Sequence, residues 1–183
     1  MKRYKDILVC FGVFILVTFF FGAIYAAVQQ NYRQSANDPQ IQMAEDAASA
    51  LNNGRNIQSV VLLDNIDISK SLAAFITVYD SSGTPVMSSG YLSGEMPKLP
   101  AGVFDYTKNH GEDRFTWQPE KGVRSAVVLV RYDSGFVLAG RSLKEVEIRE
   151  GNLLAQLSAA WLASIIVAGF VLYLAIFRKY NRE

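Results

Sequence analysis

"AGRSLKEVEIRE", residues 139–150, joins two different kinds of sequence. Before it lies "VRSAVVLVRYDSGFVLAGRS", rich in β-branched residues, which reads as two strands around a tight turn at Ser134-Gly135. After it comes "GNLLAQLSAAWLASIIVAGFVLYLAIF", long and apolar enough to cross a bilayer. Ser142 and Glu145 have the spacing of a capping box, in which the hydroxyl and the carboxylate satisfy free N–H groups reciprocally at a helix start. Glu145 and Arg149 follow at the i,i+4 spacing of a favourable ion pair. Apart from Gly151 and Gly169, no helix breaker interrupts the run to Phe177. At ~1.5 Å per residue, the roughly 35 residues from Leu143 reach about 50 Å. The stretch has the layout of a rod leading from a folded domain into a membrane, although a plain anchor also tolerates such a helix.

Charge divides the chain further. The net charge of +1 over 183 residues gives no clustered basic face, so no nucleic-acid partner is expected. Residues 29–156 carry 12 Lys/Arg and 15 Asp/Glu, and 12 − 15 = −3, whereas both ends are basic. Two runs have no charge at all, Ile7–Val28 and Leu157–Phe177, and each meets the roughly 20 residues that a membrane-spanning helix needs. The alternative for the first run is a cleaved signal peptide, but that has an apolar region of about 7–15 residues and an A-x-A-like site, which "AIYAAV" fits poorly. Lys2, Arg3 and Lys5 before the first run, and Arg178, Lys179 and Arg182 after the second, place both ends in the cytoplasm by the positive-inside rule. The expected organisation is a cytoplasmic N-terminus (1–6), a first span (7–28), an extracytoplasmic domain (29–156), a second span (157–177) and a cytoplasmic tail (178–183). Cys10 is alone and falls within the first run, so it offers no intramolecular disulfide and reads as a packing residue.

Within the central segment, "ANDPQIQMAEDAASALNNG" predicts a helix. Asp38 is its cap, Pro39 its first residue, Gly54 its stop, and Ile41, Ala44, Ala48 and Leu51 its apolar stripe. The preceding helix is expected to reach about Gln34, with the Asn-Asp-Pro step re-capping or bending it. "NIQSVVLLDNIDISKSL" fits strand and buried helix equally well. "AFITVYD", "SSG" and "TPVMSSG" predict a hairpin, "YLSGEMPKLPAG" a loop and "VFDYTKNHG" a short helix. "DRFTWQP", "VRSAVVLVRYD" and "GFVLAGRS" complete five strands, the last three consecutive and antiparallel. Strands apolar at successive positions, such as "AVVLV", are buried on both faces, so helices must cover at least one of them. The fold class is α+β, an antiparallel sheet of about five strands with covering helices, flanked by two transmembrane helices.

The order helix, hairpin, loop, three-stranded meander and exit helix resembles the extracytoplasmic PAS-like (Cache) sensor domains of bacterial receptors. "ANDPQIQMAEDAA", "LPAGVFDY", "FTWQP" and "AGRSLKEVEIRE" resemble the sensor segment of bacterial two-component histidine kinases. The resemblance implies a two-pass protein of the bacterial inner membrane. Those kinases continue into HAMP and kinase domains, and here no such segment follows Glu183, so the resemblance implies sensing without an output domain of its own. The expected role is non-enzymatic, sensing or modulating signal transduction through a histidine kinase or other membrane protein. The alternative is a structural or assembly factor that binds another protein without a small-molecule ligand.

Chemistry-bearing residues are sparse. His110 is the one histidine, and it sits in the polar stretch "TKNHGED" without converging metal ligands. No G-x-S-x-G, S-x-x-K or phosphate-binding loop is present, and no catalytic residue, metal or cofactor is expected. Arg131 follows "AVVLV" within a strand. Its guanidinium fork either receives a ligand carboxylate or marks the strand's exit into solvent. Tyr79 and Trp117 are either walls of that ligand pocket or plain core, and a one-residue change of register swaps their faces. In the second span, Ala160, Ser164 and Ala168 recur every fourth residue, which permits close helix approach to the first span, to a second copy in a homodimer, or to another protein. Ordinary small-residue content gives the same pattern.

Overall fold

The hairpin and the meander meet in one sheet. The computed structural model describes residues 2–35, 38–61 and 64–181. It begins with α1 (Lys2–Ser35), α2 (Asp38–Asn52), α3 (Ile57–Val60) and β1 (Ile66–Asp67). The strands β2 (Phe75–Asp80), β3 (Pro85–Ser88) and β4 (Gly90–Tyr91) follow. Then come α4 (Ala101–His110), β5 (Glu112–Glu120), β6 (Val123–Tyr132), β7 (Gly135–Ser142) and α5 (Lys144–Tyr180). Residues 36 and 37 and the Asp38 side chain, and with them the expected cap at the Asn-Asp-Pro step, lie outside the described residues, although α2 does begin at Asp38 with Pro39 in its first turn. Leu62 and Leu63 lie outside them too.

The sheet has the order β3-β2-β7-β6-β5, with each neighbouring pair antiparallel. The last strand therefore lies at the centre, bonded to the hairpin on one side and to the meander on the other. Phe136 pairs with both Tyr79 and Arg131, and cross-strand partners point to the same face. Both faces are covered. On one, Ala47 and Ala48 of α2 pack against Val78, Tyr132 and Val137, and Ala44 packs against Val128 and Ala139. Alanines let the helix lie close to the sheet. On the other face, Phe104 of α4 meets Tyr79 edge-on at 5.2 Å and Phe136 at 5.2 Å. Phe75, Trp117, Val127, Leu129 and Leu138 complete that core.

Two glycines are dictated by the close approach of neighbouring groups. A Cβ on Gly135 would collide with the backbone carbonyl of Tyr79, and one on Gly140 with the ring of Phe75. Gly135 also closes the β6–β7 turn, whose Asp133 N–H is held by the Asn52 side chain at 2.8 Å. The segment that reads as strand or helix alike contains both, α3 and β1. The loop expected over 91–102 contributes Tyr91 to β4, which pairs parallel with β1 as a separate two-stranded sheet.

The chain divides into two units, Arg33–Glu147 and the pair Met1–Tyr32 with Ile148–Glu183. The first is narrower than the expected 29–156, because the flanking residues continue the long helices. In the second unit both helices are long and apolar enough to cross a membrane. Their large side chains, such as Phe19, Phe20, Ile166 and Phe170, are more than half exposed. A helix apolar over its outer surface suits lipid rather than water. The half-covered positions recur every three or four residues: Val13, Val17, Phe21 and Tyr25 on α1, and Leu157, Trp161, Ile165, Ala168 and Leu172 on α5. These stripes face each other.

Candidate functional site

The three residues proposed to line a ligand pocket share one sheet face but do not converge. Tyr79 and Arg131 flank Phe136 at one end. Trp117 pairs with Ser125, six residues before Arg131 on β6 and so roughly 20 Å away at strand rise. Tyr79 is fully buried, and its hydroxyl donates to the Pro97 carbonyl at 2.9 Å. Burial pushes its phenol well above the ordinary value, so it stays neutral. Arg131 is exposed. Its Nη1 donates to the Lys108 carbonyl at 3.1 Å and its backbone N–H to the Gly111 carbonyl at 2.9 Å. A guanidinium there complements the C-terminal carbonyls of α4, where a cation is favourable. Trp117 is 7% exposed and borders a groove of about 280 Å³, together with Met96, Pro97, Lys98 and Pro119. A second groove, of about 490 Å³, lies over the two-stranded sheet between Asp67, Tyr91 and Ser93. Glu95 on the first groove is ion-paired to Lys98 at 2.7 Å, and that hydrogen bond holds its carboxyl below the ordinary range. His110 stacks on Tyr106 at 4.0 Å, with its Nδ1 2.9 Å from the Tyr106 carbonyl.

The arrangement best suited to transmitting something is the start of α5. Leu143 carries the first helical acceptor, its carbonyl receiving the Glu147 N–H at 2.9 Å. Ser142 is therefore still the last residue of β7, one position before the cap that the capping-box spacing assumes. Its hydroxyl accepts the Lys144 N–H at 3.3 Å, a long contact. Glu145 falls one position early for reaching back, and it forms no hydrogen bond or ion pair among the described residues. The anchoring carboxylate is Glu147, which accepts from Arg124 Nη1 at 2.6 Å. The backbone carbonyl of the same arginine receives the Leu143 N–H at 2.8 Å. Arg124 thus clamps the first turn of α5 to the beginning of β6 by side chain and backbone together. Sequence spacing does not reveal this pair, because 23 residues separate its members.

In the two long helices, the stripe of small residues divides. Ala168 faces α1, Ala160 is exposed, and the Ser164 hydroxyl donates to the Ala160 carbonyl at 2.8 Å within its own helix. Aromatic bulk makes the contact between helices: Phe14 and Trp161 meet edge-on at 6.0 Å. No family model, curated protein or solved structure matches the chain.

Proposed function

We propose that the chain is a membrane-anchored, PAS-like extracytoplasmic sensor module of a bacterial inner membrane, which senses or modulates signal transduction through a partner membrane protein such as a histidine kinase. The observation that carries this reading is the clamp of Arg124 onto Leu143 and Glu147 at the head of a helix that runs unbroken to Tyr180. A tether has no need of a helix fixed to the sheet by two bonds from one residue. The basic residues Lys2, Arg3, Lys5, Arg178, Lys179 and Arg182 support a cytoplasmic location for both ends.

One observation favours a second reading, that of an anchored factor binding another protein without a small ligand. The α4-side face of the sheet is filled by Phe75, Tyr79, Phe104 and Phe136 rather than hollow.

A chimera separates the two. Joining residue 181 to the HAMP and kinase segments of a two-component kinase, in membranes, is expected to give autophosphorylation that changes several-fold in Arg124→Glu and returns when Glu147→Arg restores the opposite pair. Equal activity in all three chimeras overturns the sensor reading in favour of the binding factor. Orientation is checked in intact cells with a Cys10→Ser chain carrying a cysteine at Ser81 or at Asn181. A membrane-impermeant thiol reagent is expected to label position 81 and spare position 181, and the reverse pattern overturns the topology.

A further inference from the structure

The two long helices are joined by a short relay of polar groups set among apolar ones. Trp161 Nε1–H donates to Thr18 Oγ1 at 3.0 Å, and the Thr18 hydroxyl in turn donates a hydrogen bond to the Phe14 carbonyl at 2.8 Å. The Phe14 ring lies edge-on to the same indole. In lipid no water replaces a lost partner, so an indole N–H dragged away from Thr18 is left unsatisfied. A slide of α5 along α1 by even half a helical turn, about 2.7 Å, breaks the bond. Beyond the relay, toward the start of α1 and the end of α5, the helices part around a crevice of about 400 Å³ whose walls include Cys10, Val13, Ala168, Gly169 and Leu172. Ala168 and Gly169 leave the α5 wall low. Tight contact on one side and free volume on the other are the parts of a pivot.

We infer that Trp161, Thr18 and Phe14 form a latch that fixes the register of the two spans, and that the ends beyond it rock about this point by closing the crevice. The inference rests on the spanning reading of the two helices and is independent of the sensor reading. The helices run antiparallel, so Cys10, four residues before Phe14 and eight before Thr18, stands level with residues 165–169 of α5. Ala168 faces it, and Leu172 is one turn further along the same wall.

The chain has no other cysteine, so Cys10 itself serves as the reporter. Full-length chains carrying Ala168→Cys or Leu172→Cys are placed in phospholipid vesicles and oxidised, and the rates of disulfide formation with Cys10 are compared. With the latch intact, position 168 is expected to react in preference to 172. Thr18→Val removes the acceptor at almost constant volume and should reduce this preference by about 3- to 18-fold, the equivalent of the ~0.6–1.7 kcal/mol found for hydrogen bonds between helices in membranes. Trp161→Phe should do the same and add nothing to Thr18→Val, whereas Thr18→Ser, which keeps the hydroxyl, should retain the preference. If position 168 is not preferred in the parent chain, or if the preference survives both Thr18→Val and Trp161→Phe, the latch is overturned.

Discussion

A single carboxylate organises the turn that follows β2. Asp80 Oδ1 accepts from the Ser82 hydroxyl at 2.5 Å, the Ser82 N–H at 2.8 Å and the Thr84 N–H at 2.9 Å. These bonds, that of the Ser82 hydroxyl foremost, hold its carboxyl below the ordinary value of 3.8. A carboxyl depressed in the folded state stabilises above its unfolded pKa, and the contribution is lost as pH falls through the folded pKa. The thermal midpoint of the sheet domain is therefore expected to be flat above about pH 5 and to fall below about pH 4. Asp67 and Glu95 are also held below their ordinary values, chiefly by the Ser69 hydroxyl and by Lys98, and act in the same direction. Asp80→Asn isolates one share: its midpoint should fall less steeply below pH 4 than that of the parent, and an unchanged slope would show that the turn does not sense this proton. The turn itself was legible, since "SSG" after an apolar strand is ordinary turn chemistry, and Gly83 supplies the φ of +84°. The roles of Tyr79 and Arg131 were not. Both are common in pockets, and only the three-dimensional placement of the Pro97 and Lys108 carbonyls shows where their polar groups go.

At the level of elements, β2, β6 and β7 stand out in the sequence because burial on both faces leaves them apolar at successive positions. The edge strands β3 and β5 are legible only from β-branched and aromatic residues between turn signals. The parallel pair β1–β4 is not legible, because two-residue strands 24 positions apart leave no periodic signal. The capping box is an instructive difference. Its spacing is present, but β7 keeps Ser142 in the ladder opposite Ser125, which moves the helix start one residue on and passes the anchoring role to Glu147. The consequence is measurable by amide exchange along the start of α5. Ser142→Ala removes a long, off-position bond and should cost no more than about 0.5 kcal/mol, the low end for a cap. Arg124→Gln removes a half-exposed ion pair worth at most about 1 kcal/mol. Its effect should be local: about two- to fivefold faster exchange for residues 147–150, with the amides of β6 and β7 unchanged. Faster exchange in Ser142→Ala than in Arg124→Gln would return the role to the cap.

For the molecule as a whole, two uncharged runs around a strand-rich segment were enough to place the fold in the α+β class and to locate the long helices. What joins those helices was hidden, because Thr18 and Trp161 are 143 residues apart and a Trp inside an apolar run reads as bulk rather than as a donor. The same holds for the clamp of Arg124 on Glu147, which carries the proposal that the sheet domain is coupled to the second long helix. Spin labels at Ile7 and Phe177, on cysteines in a Cys10→Ser chain in bilayer vesicles, report the separation of the two spans at their far ends. The parent is expected to give one characteristic distance distribution, Arg124→Glu a shifted or broader one, and the parental distribution is expected again when Glu147→Arg is added. Three identical distributions would contradict the coupling and leave α5 as an anchor that carries no information from the domain.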